Sequence, residues 1–117
     1  MMRKTGMTSE SRIRMVGCLH RAGVRLVSGS DGGINPGKRH GVLPEAVIQL
    51  VDGGVPAAAA LTTATSHAAA ACGLADCKGH VAAGFDADLL LIDGDPLADI
   101  TTLRNIQLVY VRGHPRR

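Results

Sequence analysis

The chain has 117 residues and therefore forms at most one small domain. With one Phe, one Tyr and no Trp, its core must consist of Ala, Val, Leu and Ile, and each buried Ala removes little apolar area from water. We therefore expect the chain to pack against another segment or chain rather than to be stable alone. The net charge of +3 does not indicate a nucleic-acid partner, because the basic residues are scattered and aromatic residues for base stacking are nearly absent.

The cysteines and the first residues are typical of a cytoplasmic protein. Cys18, Cys72 and Cys77 are an odd number and form no CxxC pair, which favours reduced thiols. The start, Met1–Lys4, leads into polar sequence rather than into the apolar segment of a signal peptide. No apolar run reaches the roughly 18 residues of a membrane span, so we expect no membrane partner.

The first predicted elements are a helix and a short strand. Thr8 or Ser9 is a suitable N-cap, and apolar residues then recur at helical spacing as far as Ala22-Gly23. Residues Val24–Val27 follow as a predicted buried strand. Helix, turn, strand and glycine-rich loop together are half of an α/β repeat.

Two helices are predicted after a long loop over Gly29–Gly41. Pro44 suits the first turn of a helix that Gly53-Gly54 ends. Pro56 precedes a second helix, predicted from Ala57 to about Cys72. Small residues along its apolar face allow a neighbouring element to approach closely.

The last third of the chain predicts two strands. Leu89–Ile92 is a short apolar run, Asp93–Pro96 has turn chemistry, and Ile106–Val111 is a second strand that ends in a turn at Arg112-Gly113. Because two isolated strands are marginal, we expect them to need partner strands from outside the chain.

Asp31 is the most informative residue. It follows the predicted strand Val24–Val27 and precedes Gly32 and Gly33. Parallel α/β folds carry their active sites at the carboxyl ends of strands, so Asp31 is a candidate catalytic or metal-binding group. The alternative is an ordinary loop aspartate whose side chain forms an Asx turn with Gly33.

Several segments, in the correct order, resemble the metal-dependent amidohydrolases, particularly their imidazolonepropionase and prolidase-like branch. His67 differs from that pattern, since the family usually has Asn there, and we expect it to be a helix-surface or helix-boundary residue. The matching segments are Gly23–Asp31 (the last barrel strand), Leu50–Val55 ("LVEAGL"), Leu61–Ala69 ("ALRAATxNAA"), Gly84–Leu97 ("GxxADLLVLDGDPL") and Ile106–Gly113 (the closing strand).

The resemblance implies an α/β fold that is the C-terminal fragment of a (β/α)8 TIM-like barrel. Residues 1–75 would then hold the last barrel strand and the helices that follow it. Residues 76–117 would hold two strands of the composite β-sandwich that flanks the barrel in this family.

The resemblance also implies a chemistry, namely metal-dependent hydrolysis of a carbon–nitrogen bond in a small-molecule amide or cyclic amide. Asp31 would be a metal ligand, with zinc the expected metal, and the catalytic group that takes the proton of the attacking water. His40 resembles a histidine in some relatives' active-site loop and is a possible substrate contact, although a solvated loop histidine is equally compatible with the sequence.

The chain departs from this family in having no His-x-His pair. Catalytic zinc normally needs about three protein ligands, and only Asp31 is assigned here. We therefore expect the isolated chain to be inactive, to retain no metal and to derive from a truncated reading frame. The alternative is a non-catalytic interaction module, in which apolar faces on Val24–Val27 and Ala57–Cys72 meet a partner chain or a second copy.

Overall fold

The computed structural model describes residues 6–34, 36 and 39–116. Four helices precede a small antiparallel sheet, so the fold contains both α and β structure as predicted. No helix among the described residues is long and apolar enough to cross a membrane. The elements are α1 (Ser9–Arg21), α2 (Leu43–Asp52), α3 (Ala57–Thr63), α4 (Ser66–Ala71), β1 (Leu89–Ile92), the 3₁₀ helix η1 (Ile100–Arg104), β2 (Ile106–Val111) and β3 (His114–Arg116).

Helices α1 and α2 form where local sequence signals place them. The hydroxyl of Thr8 accepts a hydrogen bond from the backbone N–H of Ser11 at 3.1 Å, which satisfies one of the unpaired donors at the start of α1. Pro44 lies in the first turn of α2, and Gly53 follows its last residue. Both predicted helices are confirmed.

The predicted strand over Val24–Val27 is wrong for the described part of the chain. The segment between α1 and Asp31 has no strand ladder there, and its hydrogen-bonded neighbour is a helix end instead. The backbone N–H of Ser28 donates to the carbonyl oxygen of Thr63 at 2.9 Å, and the hydroxyl oxygens of these two residues lie 2.7 Å apart. A strand is defined by pairing with a second strand, and no described strand lies beside this segment.

The single helix predicted from Ala57 to Cys72 is also wrong, because Ala64 and Thr65 separate α3 from α4. The backbone of Thr65 has φ −124° and ψ −97°, outside the helical region. The hydroxyls of Thr62, Thr63 and Thr65 each donate to a carbonyl oxygen three or four residues earlier. Such bonds compete with the helix ladder and bend helices, so a cluster of threonines accounts for the break.

The sheet contains one strand more than predicted. Strands β1 and β2 pair antiparallel, with Leu89 opposite Tyr110, and β3 adds to the other edge of β2. The connection between β2 and β3 is the two-residue turn Arg112-Gly113, where both φ values are positive (49° and 80°), as in a type I′ hairpin. The expectation that both strands need partners from outside the chain is therefore wrong for one edge of β2.

An ion-pair cluster holds the hairpin to the loop before β1. The ammonium of Lys78 lies 2.9 Å from a carboxylate oxygen of Asp86 and 2.5 Å from one of Asp88. Asp88 also accepts the backbone N–H of Arg112 at 2.9 Å, which supports the positive φ of that residue. The hydrogen bonds from Lys78 and then from Arg112 lower the pKa of Asp88.

The core lies on the buried face of α2 and joins this helix to α3 and to η1. Residues from α3 and η1 pack on the buried face of α2, so the 3₁₀ helix attaches the sheet to the helices. Arg104 at the end of η1 reinforces this contact with a two-pronged ion pair to Glu45 of α2, at 2.7 and 2.8 Å. The buried residues of this cluster are Val47, Ile48, Leu50, Val55, Ala60, Ile100 and Leu103.

We expect Gly17→Ala to destabilise the chain by about 1–3 kcal/mol, because a Cβ there would lie 1.9 Å from the carbonyl oxygen of Gly53. At an unobstructed helix position, the same change would increase stability by up to about 1 kcal/mol. Urea unfolding measures the difference. Gly29→Ala is the control, since nothing lies within 4 Å of its Cβ position, and equal stability of the Gly17→Ala and wild-type chains would contradict the close contact.

We expect Glu45→Gln to destabilise the chain at pH 7 and to have no effect in acid. The hydrogen bond from Arg104 lowers the pKa of Glu45 below its ordinary value of 4.5. A carboxylate with a lowered pKa stabilises the fold above that ordinary value, and this stabilisation is lost as the pH falls through the folded-state pKa.

Urea unfolding of both chains from pH 7 down to pH 3 tests this. Glu10→Gln is the matched control, because the Glu10–Arg14 pair joins two largely exposed side chains on the surface of α1. A difference between wild type and Glu45→Gln that persists unchanged at pH 3 would show that the ion pair is not its cause.

Candidate functional site

Asp31 follows the segment that Ser28 attaches to α3. Its φ is +53°, the left-handed region, and its side chain is exposed. Aspartate enters this region more readily than most residues, but the conformation still costs energy and clusters at functional sites. The structure thus places the predicted carboxylate on a constrained turn at the surface.

His40 lies against the same turn. A Cβ built on Gly33 would come 3.0 Å from Nε2 of His40, and one built on Gly32 would come 3.2 Å from Nδ1. The imidazole therefore occupies the space beside both glycines that side chains would otherwise fill. Asp31 and His40, which the sequence nominated separately, belong to one loop cluster.

The described residues do not form a metal site by themselves. Across residues 6–34, 36 and 39–116, no three His, Cys, Asp or Glu side chains are grouped so that they could hold a metal ion. A divalent metal is a feature of the family that the sequence resembles, yet the ligands present here do not fit one. Any metal bound at Asp31 would need ligands from beyond the described part of the chain.

His67 lies farther inside than the sequence indicates. It is half-buried at the start of α4, and its Nδ1 atom is buried with no hydrogen-bond partner among the described residues. It lines a cavity of about 230 Å³ together with His20 and Arg25. The only sequence signal for this position was a histidine where the resembled family has asparagine.

A larger, mainly apolar groove of about 710 Å³ lies between α3–α4 and the sheet. Its walls include Leu61 and Ala68 on the helical side and Leu89 on β1. Other apolar side chains lie open to solvent, among them Val24 (47% exposed) and Val27 (49% exposed) in the segment before Asp31.

A sequence model of the amidohydrolase family matches residues 3–116, nearly the whole chain. The chain belongs to the amidohydrolase family. The family resemblance drawn from the motifs is therefore confirmed. No curated protein matches the chain at a significant level.

Solved structures support the same assignment. A Xaa-Pro dipeptidase with bound methionine in its active site is 27% identical to this amidohydrolase chain, with a TM-score of 0.83. The match covers 92% of this chain and 26% of the dipeptidase chain. A candidate prolidase from Bifidobacterium longum is 31% identical (TM-score 0.79), over 91% of this chain and 25% of its own. Molinate hydrolase is 28% identical (TM-score 0.77), over 92% and 26%.

The chain thus spans about a quarter of the length of these relatives. Family membership and the hydrolase neighbours support a hydrolase. The roles of Asp31 and His40, and the division at residue 75, stay predictions, since neither the family match nor the fold assigns a function to a residue.

Proposed function

We propose that this chain contributes the C-terminal part of a metal-dependent amidohydrolase that hydrolyses a carbon–nitrogen bond in a small amide or cyclic amide. The observation that carries the proposal is Asp31, a carboxylate with φ +53° directly after the motif Gly23–Ser30, in a chain that the family matches from residue 3 to 116. In a barrel, such a strand-end carboxylate faces the active site.

The proposed architecture divides the chain at residue 75. Residues 1–75 would supply the last strand and outer helices of a (β/α)8 barrel, and residues 76–117 would supply part of a composite β-sandwich. The segment Val24–Val27 supports this view, because it has the apolar composition of a barrel strand and no described strand pairs with it. In this proposal, neighbouring barrel strands would pair with both of its edges.

Asp31 is the proposed catalytic residue and the proposed metal ligand among the described residues, with zinc as the expected ion. A carboxylate at such a position accepts the proton of an attacking water and returns it to the departing nitrogen. Both transfers require the carboxylate of Asp31 to lie within hydrogen-bond reach of the water and of the departing nitrogen, and a bound metal would supply the activation of the water. His40 packs beside the turn that carries Asp31 and belongs to the same loop of the proposed site.

The substrate class rests on the structural relatives. The Xaa-Pro dipeptidase and the candidate prolidase are named for dipeptide substrates, and molinate hydrolase for a different small molecule. We therefore propose a small amide-like substrate for this chain. The proposed setting is the cytoplasm, and neither nucleic acid nor a membrane is a proposed partner. Specificity in barrel enzymes depends on all eight βα loops.

A chimera tests the proposal directly. We expect that replacing the matched 26% of the Xaa-Pro dipeptidase with this chain yields a hydrolase, and that Asp31→Asn then lowers kcat/KM at least about a hundredfold. Asp76→Asn makes the same chemical change at an exposed residue after α4 and is expected to leave kcat/KM unchanged. A folded chimera whose activity is equal with and without Asp31 would exclude this residue from catalysis.

The isolated chain is expected neither to hydrolyse amides nor to retain zinc, because its described residues hold no set of three ligands. Metal analysis of the purified chain after gel filtration measures this. Near-stoichiometric zinc that survives the column would contradict the proposal that the site needs further ligands.

A non-catalytic interaction module is the second candidate. The observation that favours it is the exposure of Val24 and Val27, about half of each side chain, on a segment with no described strand partner. An inactive chimera combined with stable self-association of the chain, measured by light scattering, would support this function over the enzymatic one.

A further inference from the structure

The imidazole of His40 packs against the turn that follows Asp31. Its ring reaches two consecutive residues, with Nδ1 nearest the Cβ position of Gly32 and Nε2 and Cε1 nearest that of Gly33, at 3.0–3.2 Å. These separations are tighter than ordinary van der Waals contact, so neither glycine could carry a side chain unless the ring moved.

The two glycines have different reasons to be glycine. Gly33 has φ +86°, a conformation that L side chains rarely adopt, so the backbone alone accounts for it. Gly32 is not among the residues with positive φ, so its backbone does not require glycine. A Cβ there would lie 3.2 Å from Nδ1 of His40, so the ring would have to move by a few tenths of an ångström, whereas the hydroxyl of Ser30 and the carbonyl oxygen of Arg39 would be at ordinary contact distance.

The turn combines two residues in the left-handed region. Asp31 and Gly33 both have positive φ, on either side of Gly32. For a residue other than glycine this conformation costs energy and persists where the surroundings hold it. One hydrogen bond of the turn runs from the N–H of Gly32 to the hydroxyl of Ser30, at 3.2 Å. The ring of His40 supplies packing from the far end of the loop.

We propose that His40 is a positioning residue for Asp31: its imidazole packs on Gly32 and Gly33 and holds Asp31 in the left-handed conformation that directs the carboxylate. His40 then acts through Asp31 and not by touching the substrate. This inference rests on the proposed function only for the catalytic role of the Asp31 carboxylate. The packing contact itself exists whether or not the chain belongs to an active enzyme.

The conformational test uses nuclear magnetic resonance on the 117-residue chain, with the three-bond coupling between the amide and α protons of Asp31 as the measure of its φ. We expect His40→Ala and Gly32→Ala to shift this coupling and the Asp31 amide signal. His40→Phe, which keeps a flat ring, is expected to retain the wild-type values.

Two matched controls define the specificity of the effect. Gly29→Ala makes the same change as Gly32→Ala where nothing lies within 4 Å, and His114→Ala removes an exposed histidine from β3. Both are expected to leave the Asp31 coupling unchanged. An unaltered coupling in His40→Ala, or an equal shift in the two controls, would overturn the proposal.

A kinetic test in the chimera separates positioning from substrate contact. We expect His40→Ala to lower kcat several-fold with little change in KM, and His40→Phe to recover most of the loss. A raised KM with unchanged kcat would instead show direct substrate binding and overturn the proposal. Because the coupling measurement needs no activity, an inactive chimera would count against the proposed function while the role of His40 is still decided by resonance.

Discussion

The packing of three separate elements onto the buried face of α2 is the contact on which the rest of the structure depends. Ala60 of α3 and both Ile100 and Leu103 of η1 meet α2 there, and α1 crosses close to its C-terminal end. Since the chain has almost no aromatic side chains, this core relies on close approach between backbones instead of on large rings. The absence of a Cβ at Gly17 and Gly53 makes that approach possible.

The position of Asp31 follows from the same core through a short series of contacts. Helix α3 is held by α2, its last residue Thr63 binds the backbone and hydroxyl of Ser28, and Asp31 comes three residues later. The candidate catalytic carboxylate is therefore supported on one side by the hydrophobic core. On the other side, His40 packs against the glycines that follow it, so both ends of the turn are restrained.

Apolar surfaces remain exposed on the segment before Asp31 and in the groove beside the sheet. The segment before Asp31 exposes about half of Val24 and of Val27, and its backbone pairs with no strand in the described ranges. Relatives of the same fold are about four times longer than the stretch that this chain matches. Both facts support a proposed site whose remaining metal ligands come from further polypeptide. Such polypeptide would cover the groove beside α3–α4 and the edge of the sheet.

The sequence by itself determined the elements whose signals are local, and with them the family. Thr8 as an N-cap, Pro44 in a first helical turn and the apolar runs of β1 and β2 act within a few residues, so helices α1 and α2 and two strands were predictable. The ordered motifs identified the amidohydrolase family and singled out Asp31 by the same kind of evidence.

The tertiary structure decided whatever depends on residues far apart in the chain. Val24–Val27 has the composition of a strand but lacks a described partner, whereas β3, with a proline and two charged or polar residues, becomes a strand because β2 offers it an edge. The ion pair between Glu45 and Arg104 joins residues 59 positions apart. The packing of His40 on Gly32 and Gly33 likewise exists only once the loop has closed, because composition alone does not determine which side chain fills the space beside a glycine.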